Sequence, residues 1–167
     1  TLINFQNHLN ANYETCNYWL KNFDSLVVST DITEEELKMI LEKSTKPLVV
    51  QAFGYPMIMY SRRALVSNYY EIFSLPGKKE VSLQDPKGEF SFRLKETDHG
   101  TACFDTKILD TRSAIKDLPD EKILFYLVYS NDIDPNLVEK CIEGETIRDT
   151  TRGFLDKKTV YRVGDLK

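Results

Sequence analysis

The residues best suited to chemistry in this 167-residue chain fall between Gln51 and Tyr69, with two histidines apart from them, His8 and His99. A nucleophilic serine needs a base within hydrogen-bond reach. Ser61, on a loop between an apolar run and a helix, is the serine candidate, and either histidine is its candidate base. The tight G-x-S-x-G elbow is missing, and a serine at a helix start more simply caps that helix. His99 lies within Asp98-His99-Gly100, a turn in which a structural or exposed role is the simpler one. His8 follows the first strand and could line a pocket. No H-E-x-x-H or other zinc spacing is present, so no metal is expected.

The tandem Arg62-Arg63 suits a different chemistry. Flanked by Tyr55, Tyr60 and Tyr69, it fits planar anions or stacked bases, against the plainer reading of a solvated or salt-bridged pair. Both arginines fall in the first turn of the expected helix, where the dipole disfavours cations, which points to a partner or a fixed carboxylate. Gln51 is a polar residue inside an apolar strand and must find a partner or face an interior. Asn68, mid-helix, can bond a neighbouring loop or a ligand. Met57 and Met59 read as packing. Lys157, Lys158 and Arg162 read as a solvated basic tail.

These residues need elements to position them. Pro47 to Phe53 is apolar except for Gln51, as a strand of a parallel sheet buried on both faces would be. Gly54 and Pro56 stop it. A loop over 55–60 follows, then a helix capped by Ser61 with Leu65, Tyr69 and Phe73 on one face. Upstream, Leu2 to Phe5 and Leu26 to Ser29 read as strands. A helix capped by Asn10 or Asn12 lies between them, and Thr33 and Glu36 form a capping box for a second helix that buries Leu37, Ile40 and Leu41. Strand and helix alternating with short connections imply a parallel βαβαβ unit.

Downstream, Val81 to Gln84 and Phe90 to Leu94 alternate around the Asp85-Pro86-Lys87-Gly88 turn, a hairpin with one wet face. Thr101 to Asp105 adds a third antiparallel strand. Ile123 to Tyr129 then reads as another buried strand. Asp134-Pro135 opens a helix carrying Leu137, Val138, Cys141 and Ile142, with Gly144 as its terminator. The expected division is 1–75 βαβαβα segment, 76–108 antiparallel insertion, 109–144 final strand and helix, and 145–167 tail with a last strand pair near Asp156-Lys157, all one domain.

With 41% apolar residues the chain can bury one core, and its net charge of −4 exerts no general pull on nucleic acid, so RNA binding would need a local patch. No apolar run nears the ~20 residues that span a bilayer, so no membrane is expected. Cys16, Cys103 and Cys141 are scattered and odd in number, which fits a reduced, cytoplasmic protein. Strand-like residues follow Thr1 at once, and we expect the C-terminal portion of a longer protein.

The stretch from Gly54 to Tyr69 resembles the signature region of the collagenase-like peptidase family U32, G-x-x-C-x-x-Y-S-G-R-C-x-L-S-N-Y. Gly54, Tyr60, Ser61, Arg63, Asn68 and Tyr69 match it in register. Met57 and Ala64 stand where the motif has cysteines and Arg62 where it has glycine, so the chain looks like the cysteine-free branch. The resemblance implies a TIM-like (β/α)8 barrel of which this chain is the second half, with the small antiparallel insertion. Half a barrel has two free sheet edges, so it also implies self-association or a tail folded over an edge. In the cysteine-bearing branch the motif cysteines look like iron–sulfur ligands. Met57 and Ala64 cannot replace two thiolates, and no cofactor is expected on this chain.

The resemblance also implies function. Family members look like RNA-modifying proteins that hydroxylate pyrimidines, including the wobble uridine of tRNA. The first expectation is a tRNA-hydroxylation subunit or RNA-positioning partner of a cysteine-bearing paralogue. Its substrate-binding residues would be Arg62, Arg63, Tyr60, Tyr55, Gln51 and Asn68. The second is a protease acting on peptide through Ser61 and His8 or His99, and the third a non-catalytic interaction module.

Overall fold

The computed structural model describes residues 1–5, 9–88 and 90–158. Its contacts divide the chain into two compact units, residues 1–54 with 109–167, and residues 55–108. The expected insertion opened at residue 76. In the structure the segment from Tyr55 onward already belongs with the antiparallel strands.

The first unit combines helices with strands that pair mostly in parallel, apart from an antiparallel pairing of Phe53 and Gly54 with Asp110 and Leu109. Its strands are β1 (Ile3–Asn4), β2 (Ser25–Leu26) and β3 (Leu48–Gly54), with α1 (Tyr13–Trp19) and α2 (Glu34–Lys43) between them. β1 pairs parallel with β2, and a parallel bridge from Val27 to Val49 continues the sheet to β3. Asn12 caps α1 by accepting from the Thr15 amide at 2.9 Å. The capping box on α2 is present: Thr33 N–H donates to Glu36 Oε2 at 2.8 Å, and Glu36 N–H to Thr33 Oγ1 at 3.3 Å. Leu37, Ile40 and Leu41 of α2 pack with Cys16, Leu20, Leu48, Val50 and Ala52 in the main core.

The second half of this unit departs from expectation. Ile123–Tyr129 (the strand β9 once chain order is followed) pairs parallel with β3, as a parallel fold requires, but it is not buried. It lies at the end of its sheet and leaves Leu124, Phe125 and Tyr126 exposed, Phe125 by 55%. Apolar composition marks a strand that could be covered on both faces, but Phe125 on one face and Leu124 and Tyr126 on the other are all exposed. The helix Pro135–Ile142, capped by Asp134, likewise buries Cys141 while Ile142 faces solvent. No strand forms at Asp156-Lys157. Instead Thr150–Thr151 joins the sheet beside β8 (Ile108–Asp110), and the tail beyond Lys158 lies outside the described residues.

The second unit is an antiparallel sheet carrying one helix. Its strands are β4 (Met57–Ser61), β5 (Glu80–Gln84), β6 (Ser91–Thr97) and β7 (Gly100–Asp105), ordered β4-β7-β6-β5. The hairpin turns at Asp85, whose carbonyl accepts from Gly88 N–H at 2.9 Å. Residues 57–60, expected in a loop, and Ser61, expected as a helix cap, form the strand β4. Their bulky and aromatic side chains suit a pleated edge, and they pair with β7 from Met57↔Phe104 to Ser61↔Thr101. The helix α3 (Leu65–Ile72) buries Val66, with Tyr70 beside it, against Leu94 and Cys103. Tyr69 and Phe73 therefore lie on its outward face, with ring centroids 4.8 Å apart. Across the described residues no helix is long and apolar enough to cross a membrane, and no sheet closes into a barrel.

Candidate functional site

Ser61 ends β4 and does not cap α3. Its Oγ accepts the Arg63 amide at 3.2 Å, and the helix begins after Ala64, which offers no side-chain cap. The open amides are satisfied from across the sheet. Leu65 N–H donates to Thr101 Oγ1 at 3.1 Å, while Val66 and Ser67 N–H each donate to Glu96 Oε2 at 2.9 Å. Glu96 is thus a helix cap delivered by β6, and it also sets a fixed negative charge at the positive end of α3.

Arg62 and Arg63 consequently sit in the bend before the helix, not in its first turn. Both are exposed, and among the described residues neither guanidinium has an ion-pair partner. Their backbone is held firmly. Thr101 Oγ1 donates to the Arg63 carbonyl at 2.9 Å, and Thr101 itself is fully buried. Gly100, at φ +140°, lets the two strands approach closely here, since a Cβ on it would collide with the Ser61 carbonyl. Tyr60 O–H donates to the His99 carbonyl at 2.6 Å, which ties the turn to the edge strand. The two arginines thus lie on a bend between an exposed tyrosine at 47% and another at 54%, residue types whose chemistry suits planar anions.

The other sequence candidates are placed as follows. Tyr55 lies under the Arg93 guanidinium, 4.7 Å from its ring centroid, so one face of the ring is already covered. Asn68 is exposed on α3. His99 is exposed in its turn, where its N–H donates to Thr97 Oγ1 at 3.3 Å. His8 lies outside the described residues. Gln51 belongs to the first unit, is 5% exposed, and has an amide nitrogen that no described group pairs with. The structure therefore groups Tyr60, Ser61, Arg62, Arg63 and His99 in one unit and places Gln51 in the other.

Sequence reasoning missed the network beneath α3. The Ser67 hydroxyl donates to Glu96 Oε1, and Lys79 Nζ donates to Glu96 Oε1 at 2.6 Å and to Ser67 Oγ at 2.9 Å. Serine and lysine at that spacing invite comparison with a hydrolytic dyad. Here the amine serves as a donor to both neighbours, and the serine proton faces a carboxylate that is a weak base. Burial pushes the Glu96 carboxyl up, but the bonds from Lys79 and Ser67 outweigh it and hold the pKa down to about 2. The network is a clamp. One signal was legible: Phe92, Leu94 and Glu96 share a face of β6, so a carboxylate falls in line with two apolar residues. The three cysteines are buried and unbridged, and burial raises the Cys16 thiol to about 11, which makes it inert as a nucleophile.

Residues 6–132 match peptidase family U32. The chain belongs to peptidase family U32. Within that match lie β4 and α3, which flank the arginine bend, and the whole capping network. A similar curated protein is tRNA hydroxylation protein P2 of Bacillus subtilis (strain 168), 24% identical over 189 residues. The alignment covers 90% of this chain and 61% of that protein, so this U32 chain spans less than two thirds of its relative's length. No solved structure matches the chain.

Proposed function

We propose that this chain acts in tRNA hydroxylation, as the RNA-positioning part of a U32 protein. The observation that carries the proposal is its likeness to tRNA hydroxylation protein P2, taken with the unpaired Arg62 and Arg63 on a fixed bend. Lysine and arginine nearly balance the acids over residues 55–108, whereas the rest of the chain carries the acidic excess. A polyanion would therefore meet the arginine bend with less repulsion than elsewhere. Tyr60 and Tyr69 offer faces for unstacked bases beside the phosphate contacts.

In this reading the protein works in the cytoplasm, and its chemistry comes from a cysteine-bearing family paralogue. Met57 and Ala64 support that division, since neither can supply a thiolate. We further propose that the parallel strands β1, β2, β3 and β9 are the second half of a TIM-like barrel, with residues 55–108 inserted into it. Their parallel order and the exposed apolar strand at one end support this. The nucleoside composition of tRNA from cells lacking the gene tests the function.

A further inference from the structure

Three polar groups in the first unit share one cavity. Thr30, Gln51 and Arg152 line it together with Val50, Leu109 and Leu155, and its volume is about 20 Å³. Each of the three has a buried atom without a partner among the described residues: Thr30 Oγ1, Gln51 Nε2 and Arg152 Nε. Arg152 is otherwise fully engaged, donating from Nη2 to Glu34 at 2.8 Å and pairing through Nη1 with Asp156 at 2.8 Å. Gln51 is held in place through its backbone, since Thr111 Oγ1 donates to its carbonyl at 2.8 Å.

Buried polar atoms in folded proteins are nearly always paired, and three orphans converging on one chamber is not a chance scatter. The Gln51 amide nitrogen and Arg152 Nε can only donate, while a threonine hydroxyl can donate or accept. What completes the set is an oxygen that accepts twice and bonds once more. A chamber of this size has room for one such atom. The Arg152 charge is already matched by Glu34 and Asp156, so nothing calls for an anion.

We propose that this cavity is a binding site for a single uncharged oxygen, which bridges Gln51 on β3, Thr30 beyond β2 and Arg152 on the C-terminal segment. The bridge fastens residues 152–156 to the middle of β3 and to the segment that follows β2. The oxygen is that of water or of a small hydroxyl-bearing or carbonyl-bearing solute.

Crystals of the full chain, grown and dialysed without organic solutes, distinguish the sources. One compact density peak about 2.7–3.2 Å from both Gln51 Nε2 and Arg152 Nε marks water, and elongated density marks a retained solute. Either result supports the site. An empty chamber with the Gln51 amide turned to a protein acceptor overturns it. Gln51→Met keeps the side-chain shape and removes the donors. With the bridge, the variant melts about 2–4 °C or more below the parent, and amide exchange accelerates in residues 152–156 but not in α1. An unchanged or raised melting point means Gln51 was an orphan whose removal relieves strain, and the site does not exist.

Discussion

Thr101 donates its hydroxyl to the carbonyl of Arg63 at 2.9 Å, so a fully buried strand residue fixes the backbone that carries both exposed arginines. The same oxygen accepts the Leu65 amide, which makes Thr101 the joint between the bend and α3. Thr101→Val keeps the shape and removes both bonds, leaving a part-buried carbonyl and amide unpaired. The expected loss is about 1–3 kcal/mol in denaturant unfolding. RNA affinity should fall with it even under conditions where the variant is fully folded, because the arginines lose their fixed presentation. An affinity equal to that of the parent would show that the bend needs no support.

The Glu96 clamp gives a pH dependence with a defined sign. Its folded pKa of about 2 lies below the ordinary value of 4.5, so the ionised form favours the folded state. That contribution is full above about pH 4.5 and is lost as pH falls toward 2. Glu96→Gln should flatten the parent's decline in stability across that window, and it should lower stability near neutrality. Denaturant midpoints measured at a series of acidic pH values check both parts. Parallel curves for the two proteins would remove Glu96 from the account.

Much of the parallel unit was legible because its signals are local. The Thr33–Glu36 box, the Asp134-Pro135 start and the apolar run at β3 are each written within a few residues. The start of α3 was misread because its cap is not local. Ser61 has the right residue type, but the amides are served by Glu96 and Thr101, some thirty residues on or more. Burial of β9 was misread for a related reason, since composition records what a strand could cover and not what covers it. The candidate surface was legible as residue types, Arg62, Arg63, Tyr60 and Tyr69. Its rigidity was not, because Thr101 and Gly100 come from another strand.

The exposed strand bears on the half-barrel proposal. Phe125 is more than half exposed on a seven-residue apolar strand at the sheet's end. Such an edge pairs with other chains unless something covers it. Sedimentation of the isolated chain should therefore show species larger than a monomer. Phe125→Lys should shift the population toward monomer without unfolding it, as a charge on an edge strand blocks pairing. A parent that stays monomeric at high concentration would count against the free edge.

The most direct test of the central claim is mass spectrometry of tRNA nucleosides from three strains: one lacking the full-length gene, one complemented by the parent, and one complemented by the Arg62→Ala, Arg63→Ala double variant. We expect hydroxylated wobble uridine to fall in the deletion strain, to return with the parent, and to stay well below the parent level with the double variant at equal protein abundance. Unchanged hydroxylated uridine in the deletion strain, provided no paralogue compensates in a double deletion, would contradict a role in tRNA hydroxylation. Full rescue by the double variant would contradict the part assigned to the two arginines.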